Sequence, residues 1–185
     1  NQLHILSKLV CFLHDKQKVE PSKDLYQRIG RIYLKINVRL LANFYYKILT
    51  VSDFSRHEII SELNVSPEKV FRIYEGSGSS LFTEKKKRTS EKYIIHFGSD
   101  DPRKNTLSTI AAFKKSLIAL NGFRLKVVGD CNVNSIKKAL NDYELNGVDF
   151  LGFISKDQLK EIANNSFCLW YCSTYEGFGM PIIEF

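Results

Sequence analysis

The chain has 185 residues, 44% hydrophobic and 12% aromatic, enough for one good core or two small ones, and no apolar run approaches the roughly 20 residues that a bilayer-spanning helix needs. Its net charge of +7 suits nucleic acid, an anionic membrane surface or a phosphorylated substrate, but no recognised nucleic-acid-binding motif accompanies it. The four cysteines (Cys11, Cys131, Cys168 and Cys172) lack metal or redox spacing and read as buried free thiols of a reducing compartment.

Residues 8–13 (Lys-Leu-Val-Cys-Phe-Leu) read as a short buried strand ending at His14-Asp15. A histidine at the carboxyl end of a parallel strand lies where α/β folds place their ligands, although structural histidines are common. Pro21-Ser22 opens a long helical pattern, with Leu25, Ile29, Ile32, Ile36 and Leu40 at spacings of three and four. Arg28, Arg31, Lys35 and Arg39 accompany that stripe, as a solvated outer face or a membrane-contacting one. A strand at 48–52, a helix at 55–63 opened by a capping box at Ser55-Arg56-His57-Glu58, and a strand at 70–74 follow. Residues 76–91 have linker composition, small residues and then Lys85-Lys86-Lys87-Arg88, and the domain boundary is placed there.

A second run of alternating strands and helices begins at residues 93–97. Asn105 is expected to cap a helix whose buried stripe is Ile110, Phe113, Leu117 and Leu120. Arg103 and Lys104 then stand at a helix N-terminus, where the dipole disfavours cations by about 0.3–1 kcal/mol, so an anion is expected between them and the helix. A strand at 123–128 and a helix carrying Ile136, Ala139 and Leu140 come next. A strand at 148–153 and a capping box at Ser155-Lys156-Asp157-Gln158 complete this run. The carboxyl end reads as a strand at 167–172 buried on both faces, then a turn with Gly177 and Gly179, then a helix opened by Pro181. That order aims backbone N–H groups and a helix dipole at one spot, a site for phosphate, with Glu176 and Glu184 bordering it.

Two glutamates flanking Gly-Phe-Gly-x-Pro are not generic. The run from Glu176 to Glu184 resembles, at every fixed position, the Glu-x7-Glu signature of the retaining nucleotide-sugar glycosyltransferases of family 4. The segment Gly98 to Asn105 is similar to that family's Gly-x-x-x-x-Arg-Lys-Asn, with Ser99 where many relatives carry an arginine. The likeness is strong from Tyr93 onward and moderate before Gly76, where Glu75-Gly76-Ser77-Gly78 departs from the usual Asn-Gly-Val-Asp.

The resemblance implies an α/β protein with two Rossmann-like doubly wound domains of GT-B type, both incomplete here. Residues 1–75 would be the end of the acceptor-side domain, 76–91 a linker and 92–185 the donor domain, with the donor site at their cleft. The start at Asn1 and the stop just after Glu184 read as those of a fragment, expected to transfer no sugar by itself. The implied reaction moves a sugar, mannose by first expectation, from a nucleoside diphosphate to an acceptor hydroxyl with retention of configuration. Lys104 and Arg103, with the amides of Gly177, Phe178 and Gly179, would take the donor diphosphate. Glu184 would hold the ribose, Ile154 the base, Glu176 the sugar hydroxyls, and His14 would face the reacting end of the sugar.

No obligatory cofactor or metal is implied; the nucleotide sugar, on guanosine or uridine, is the donor substrate. The acceptor is expected to be a glycan or a lipid-linked one. The enzyme is expected in the cytoplasm, peripheral at the inner face of the membrane, with no nucleic-acid partner. A non-catalytic nucleotide-sugar-binding module, a nucleic-acid binder and a sugar phosphorylase of the same fold are the competing readings.

Overall fold

The structure is a computed structural model and describes residues 10–13, 40, 42, 44–76, 91–140 and 145–185. His14, nearly all of the helical pattern at 21–40 and the linker residues 77–90 lie outside the described residues. The chain divides into two compact units at Gly76/Ser77.

In the first unit, β1 (Val10–Leu13), β2 (Lys47–Thr50) and β3 (Val70–Arg72) form a parallel sheet in that order. Helix α1 (Asp53–Leu63) lays Ile59 and Leu63 against Ile48 and Val70. It starts two residues earlier than the sequence implies. The N-cap is Ser52, whose hydroxyl accepts from Ser55 N at 3.0 Å, and Ser55 is buried inside the first turn. A capping serine must be extended and free to turn back on N3, and Ser52 has that backbone, φ −147° and ψ 163°.

The second unit is built on β4 (Tyr93–Phe97), β5 (Arg124–Val128) and β6 (Val148–Gly152), parallel and in that order. Residues 167–170 run along the other edge of β4: Phe167 N donates to Tyr93 O, Ile95 N to Cys168 O and Trp170 N to Ile95 O, at 2.7–3.0 Å. The order across the sheet is therefore 167–170, β4, β5, β6, with the chain leaving β4 in opposite directions on its two sides. Helices α2 (Thr106–Lys115) and α4 (Val133–Ala139) cover one face through Ile110, Phe113 and Ile136. Helix α5 (Lys156–Asn165) covers the other through Leu159, Ile162 and Ala163. Helices on both faces of a parallel sheet make the doubly wound α/β architecture expected from the sequence.

Two readings of this half need correction. The stretch at 167–172 is an edge ladder rather than a strand buried on both faces: Phe167 is 67% exposed and stacks edge-on against Phe123. The helix after Asn105 is two helices, α2 and α3 (Leu117–Leu120), because Ser116 turns extended, with its hydroxyl bonded to Phe113 O and accepting from Ala119 N. Leu117 and Leu120 consequently leave the buried stripe, each 75% exposed. The capping box of α5 is present in full, with Gln158 N donating to Ser155 Oγ at 3.2 Å and Ser155 N to Gln158 Oε1 at 2.9 Å.

Candidate donor-binding site

Where a chain leaves neighbouring parallel strands in opposite directions, the loops at their carboxyl ends part and leave a crevice, the usual ligand site of this architecture. Here the crevice lies between β4 and residues 167–170. The loop after β4 opens with Gly98, whose N donates to Val128 O at 2.9 Å. Gly129, at the end of β5, lies so close that a Cβ on it would stand 2.2 Å from Gly98 O, and its φ of +119° favours glycine as well. Asp101 then caps a short 3-10 turn, Pro102–Lys104, which presents Arg103 and Lys104. Asn105, left-handed at φ 55°, passes the chain into α2. It stands at the capping position, yet its side chain does not cap: its Nδ2 donates to Cys172 O at 3.3 Å, tying the two loops together. Thr174 N donates to Arg103 O at 2.8 Å across the same gap.

Lys104 and Glu176, 72 residues apart in sequence, meet in this crevice: Lys104 Nζ donates to Glu176 Oε1 at 2.7 Å. Both side chains are about three-quarters buried, 27% and 28% exposed. Burial pushes the Glu176 carboxyl up, but the Lys104 hydrogen bond, the neighbouring Tyr171 and Ser173 hydroxyls and the lysine charge outweigh it and hold it below its ordinary value. Arg103 folds back on Asp101, its Nε and Nη2 both reaching the carboxylate at 2.6–3.1 Å. That contact is the main cause of the lowered Asp101 carboxyl. The cations that the sequence sets against a helix dipole thus stand on the turn before the helix, and each has a carboxylate of its own.

The other expected site residues are placed as follows. Gly179 is buried and left-handed at φ 84°, and leads into α6 (Met180–Glu184), with Pro181 second in the helix rather than first. Gly177 and Phe178 are half-buried in the turn before it. Glu184, half-buried, is the last residue of α6. Ile154 is half-buried just after β6 and packs on the core face of Tyr93 and Ile95. His14 lies outside the described residues.

Two residues escaped the sequence reading. His96, on β4, is almost fully buried; its Nδ1 lies 3.0 Å from Trp170 O and its Nε2 has no hydrogen-bond partner among the described residues. Burial pushes it below the ordinary histidine range, and the Lys104 charge adds to this, so it is read as neutral. Tyr171 sits beside the glutamate, its hydroxyl buried without a hydrogen-bond partner among the described residues. That hydroxyl is near enough to Glu176 for each group to shift the other's titration, but it is not in hydrogen-bonding geometry. Burial first, and the carboxylate second, raise the Tyr171 phenol far above its ordinary value. The apolar run around Tyr171 disguises it as a core aromatic. Among the described residues, no group of three or more His, Cys, Asp or Glu side chains is placed to hold a metal ion.

The architecture is that of the GT-B glycosyltransferases. In fold the chain is similar to HepE of Anabaena, a structure containing UDP and glucose, with a TM-score of 0.70 and 22% identity, over 96% of this chain and 50% of that one. The profile of the family "Glycosyl transferases group 1" matches residues 79–185, more than half of the chain, and the chain belongs to that family. Its sequence is similar to the O-antigen chain mannosyltransferase RfbU of Salmonella typhimurium, 30% identical over 161 residues, 84% of this chain and 44% of that protein. It is also similar to O-antigen chain mannosyltransferase B of Escherichia coli, 25% identical over 155 residues, 74% of this chain and 40% of that protein. The chain therefore spans less than half the length of either relative.

Proposed function

We propose that the protein moves a sugar, mannose in the first instance, from a nucleoside diphosphate to the hydroxyl of a glycan or lipid-linked acceptor, with retention of configuration, in polysaccharide biosynthesis. The observation that carries this reading is Lys104 at the switch-point crevice of a domain belonging to a glycosyltransferase family. The two mannosyltransferase relatives support the choice of sugar.

A nucleotide sugar carries its leaving group ready made, so the main task is to stabilise charge on the departing diphosphate with groups already in place. Lys104 does this, once it exchanges Glu176 for the diphosphate, and the amides of residues 177–179 assist it. Arg103 contributes from its seat on Asp101. Glu184 takes the ribose hydroxyls and Ile154 the base. Glu176 turns to the sugar hydroxyls, where its carboxylate favours the positive charge that builds on the ring as the bond breaks. The base is guanine or uracil. Among the described residues no helix is long and apolar enough to cross a membrane, and the net charge of +7 supports peripheral attachment to an anionic one. Incubating the full-length protein with GDP- and UDP-sugars and a lipid-linked acceptor, and reading the anomeric configuration of the product by NMR, tests the proposal.

A further inference from the structure

We propose that Tyr171 is a positioning residue for Glu176: its hydroxyl takes over the carboxylate when a diphosphate draws Lys104 away. This rests on the donor-site reading above and adds to it the residue that keeps the site's glutamate ionised while the nucleotide is bound.

The problem begins with the ion pair. Lys104 is the cation that holds Glu176, at 2.7 Å, and both side chains are mostly buried. A diphosphate carries more negative charge than one carboxylate and competes for the same ammonium. Once Lys104 turns to it, a mostly buried carboxylate is left beside an anion, and both burial and like charge favour its protonation. A protonated Glu176 is neutral and no longer stabilises positive charge on the sugar ring.

Tyr171 answers this by position. Its ring is held between the two loops, with Lys104 Nζ 5.7 Å from the ring centroid and Cε1 3.8 Å from where a Cβ on Gly179 would stand. Its hydroxyl is one of three buried side-chain polar atoms without a hydrogen-bond partner among the described residues, and it neighbours the carboxylate. A buried hydroxyl left unsatisfied is costly, so a partner reached by a small shift is a strong attraction. The other groups facing this pair are Ser173 on the same segment, neutral His96 on β4, and Asp101 with Arg103 on the 3-10 turn. Of these, Arg103 is the other cation, and its guanidinium is held by the Asp101 carboxylate at 2.6–3.1 Å.

Tyr171→Phe keeps the ring and removes the hydroxyl. Calorimetry of free GDP and UDP binding to the full-length protein, in buffers of different ionisation enthalpy near pH 5.5, reads the protons taken up on binding. Relative to wild type, Tyr171→Phe is expected to take up roughly 0.3 proton more per site, as Glu176 protonates. In a Glu176→Gln background the same change is expected to add none. Turnover of Tyr171→Phe is expected to fall about tenfold, with the acid limb of its pH profile moved upward. Equal proton uptake in Tyr171→Phe and wild type overturns the proposal, and so does an extra uptake that survives in Glu176→Gln. A loss of turnover accompanied by a lower melting temperature and an unmoved acid limb assigns Tyr171 to packing alone, which also overturns it. If neither nucleotide binds wild type, the donor-site reading itself fails and takes this inference with it.

Discussion

Glu176→Gln is the change that separates a donor-site ion pair from a structural one, because the two give opposite signs. The substitution keeps the shape of the side chain and removes its charge. On the reading proposed above, a diphosphate draws Lys104 out of its 2.7 Å contact with Glu176. Exposed ion pairs contribute about 0–1 kcal/mol, and breaking buried ones costs about 3–5 kcal/mol. With side chains 27% and 28% exposed, and with other groups able to hold the carboxylate, about 1 kcal/mol is a fair net value here. Relieved of that cost, Glu176→Gln should bind free GDP or UDP about fivefold more tightly, since about 1.4 kcal/mol is tenfold. Sugar transfer should move the other way, with a lower kcat, because the carboxylate acts on charge that exists only in the transition state. Titration calorimetry and steady-state kinetics on the full-length protein measure both. Weaker nucleotide binding in Glu176→Gln would refute the idea that glutamate and diphosphate compete for Lys104.

Three further outcomes follow from the same geometry. Glu184→Gln should raise the donor KM several-fold and leave kcat near wild type, since ribose contacts do not change along the reaction; a lost kcat at saturating donor contradicts that role. Gly129→Ala should destabilise by more than about 3 kcal/mol in urea unfolding, because its φ is +119° and its Cβ would stand 2.2 Å from Gly98 O; a loss below about 1 kcal/mol would show that the two loops part easily. Acid should destabilise the protein through its paired carboxylates. Asp101 beside Arg103, Asp149 beside Arg124, and Glu176 despite its burial are all held below their ordinary values, and a depressed carboxyl adds stability above its unfolded pKa that is lost as pH falls through the folded one. The urea midpoint should therefore drop below about pH 4.5, and by less in Glu176→Gln; identical drops would remove Glu176 from that set.

Much of the second unit was legible in the sequence because its signals are local. Residues 93–97 form a strand with the predicted bounds, and the Ser155 to Gln158 capping box needs only four residues to declare itself. Ser116 shows where local reading ends: the apolar spacing through Leu117 and Leu120 is helical, but the serine hydroxyl competes for Phe113 O and turns the backbone out. The capping serine of α1 was misplaced because Ser52 and Ser55 both precede a helical stretch, and only the fold reveals which one is buried. Lys104 and Glu176 each stand in a motif that the sequence shows. Their pairing is not visible there, since it depends on the chain reversal that brings residues 167–170 beside β4. Tyr171 was hidden for a related reason: inside an apolar run, only the surroundings of its hydroxyl distinguish it from a core ring.

The most direct test of the account is the transfer reaction itself. The full-length protein, given GDP-mannose, UDP-glucose and related donors with a lipid-linked glycan acceptor, is expected to release nucleoside diphosphate and form a glycosidic bond. The anomeric configuration of the transferred sugar, read by NMR, should match that of the donor, and Lys104→Ala should weaken donor binding by about 1.5–3 kcal/mol. Nucleotide binding without transfer to any acceptor would reduce the protein to a binding module, and a product of inverted configuration would contradict the retaining reaction proposed for it.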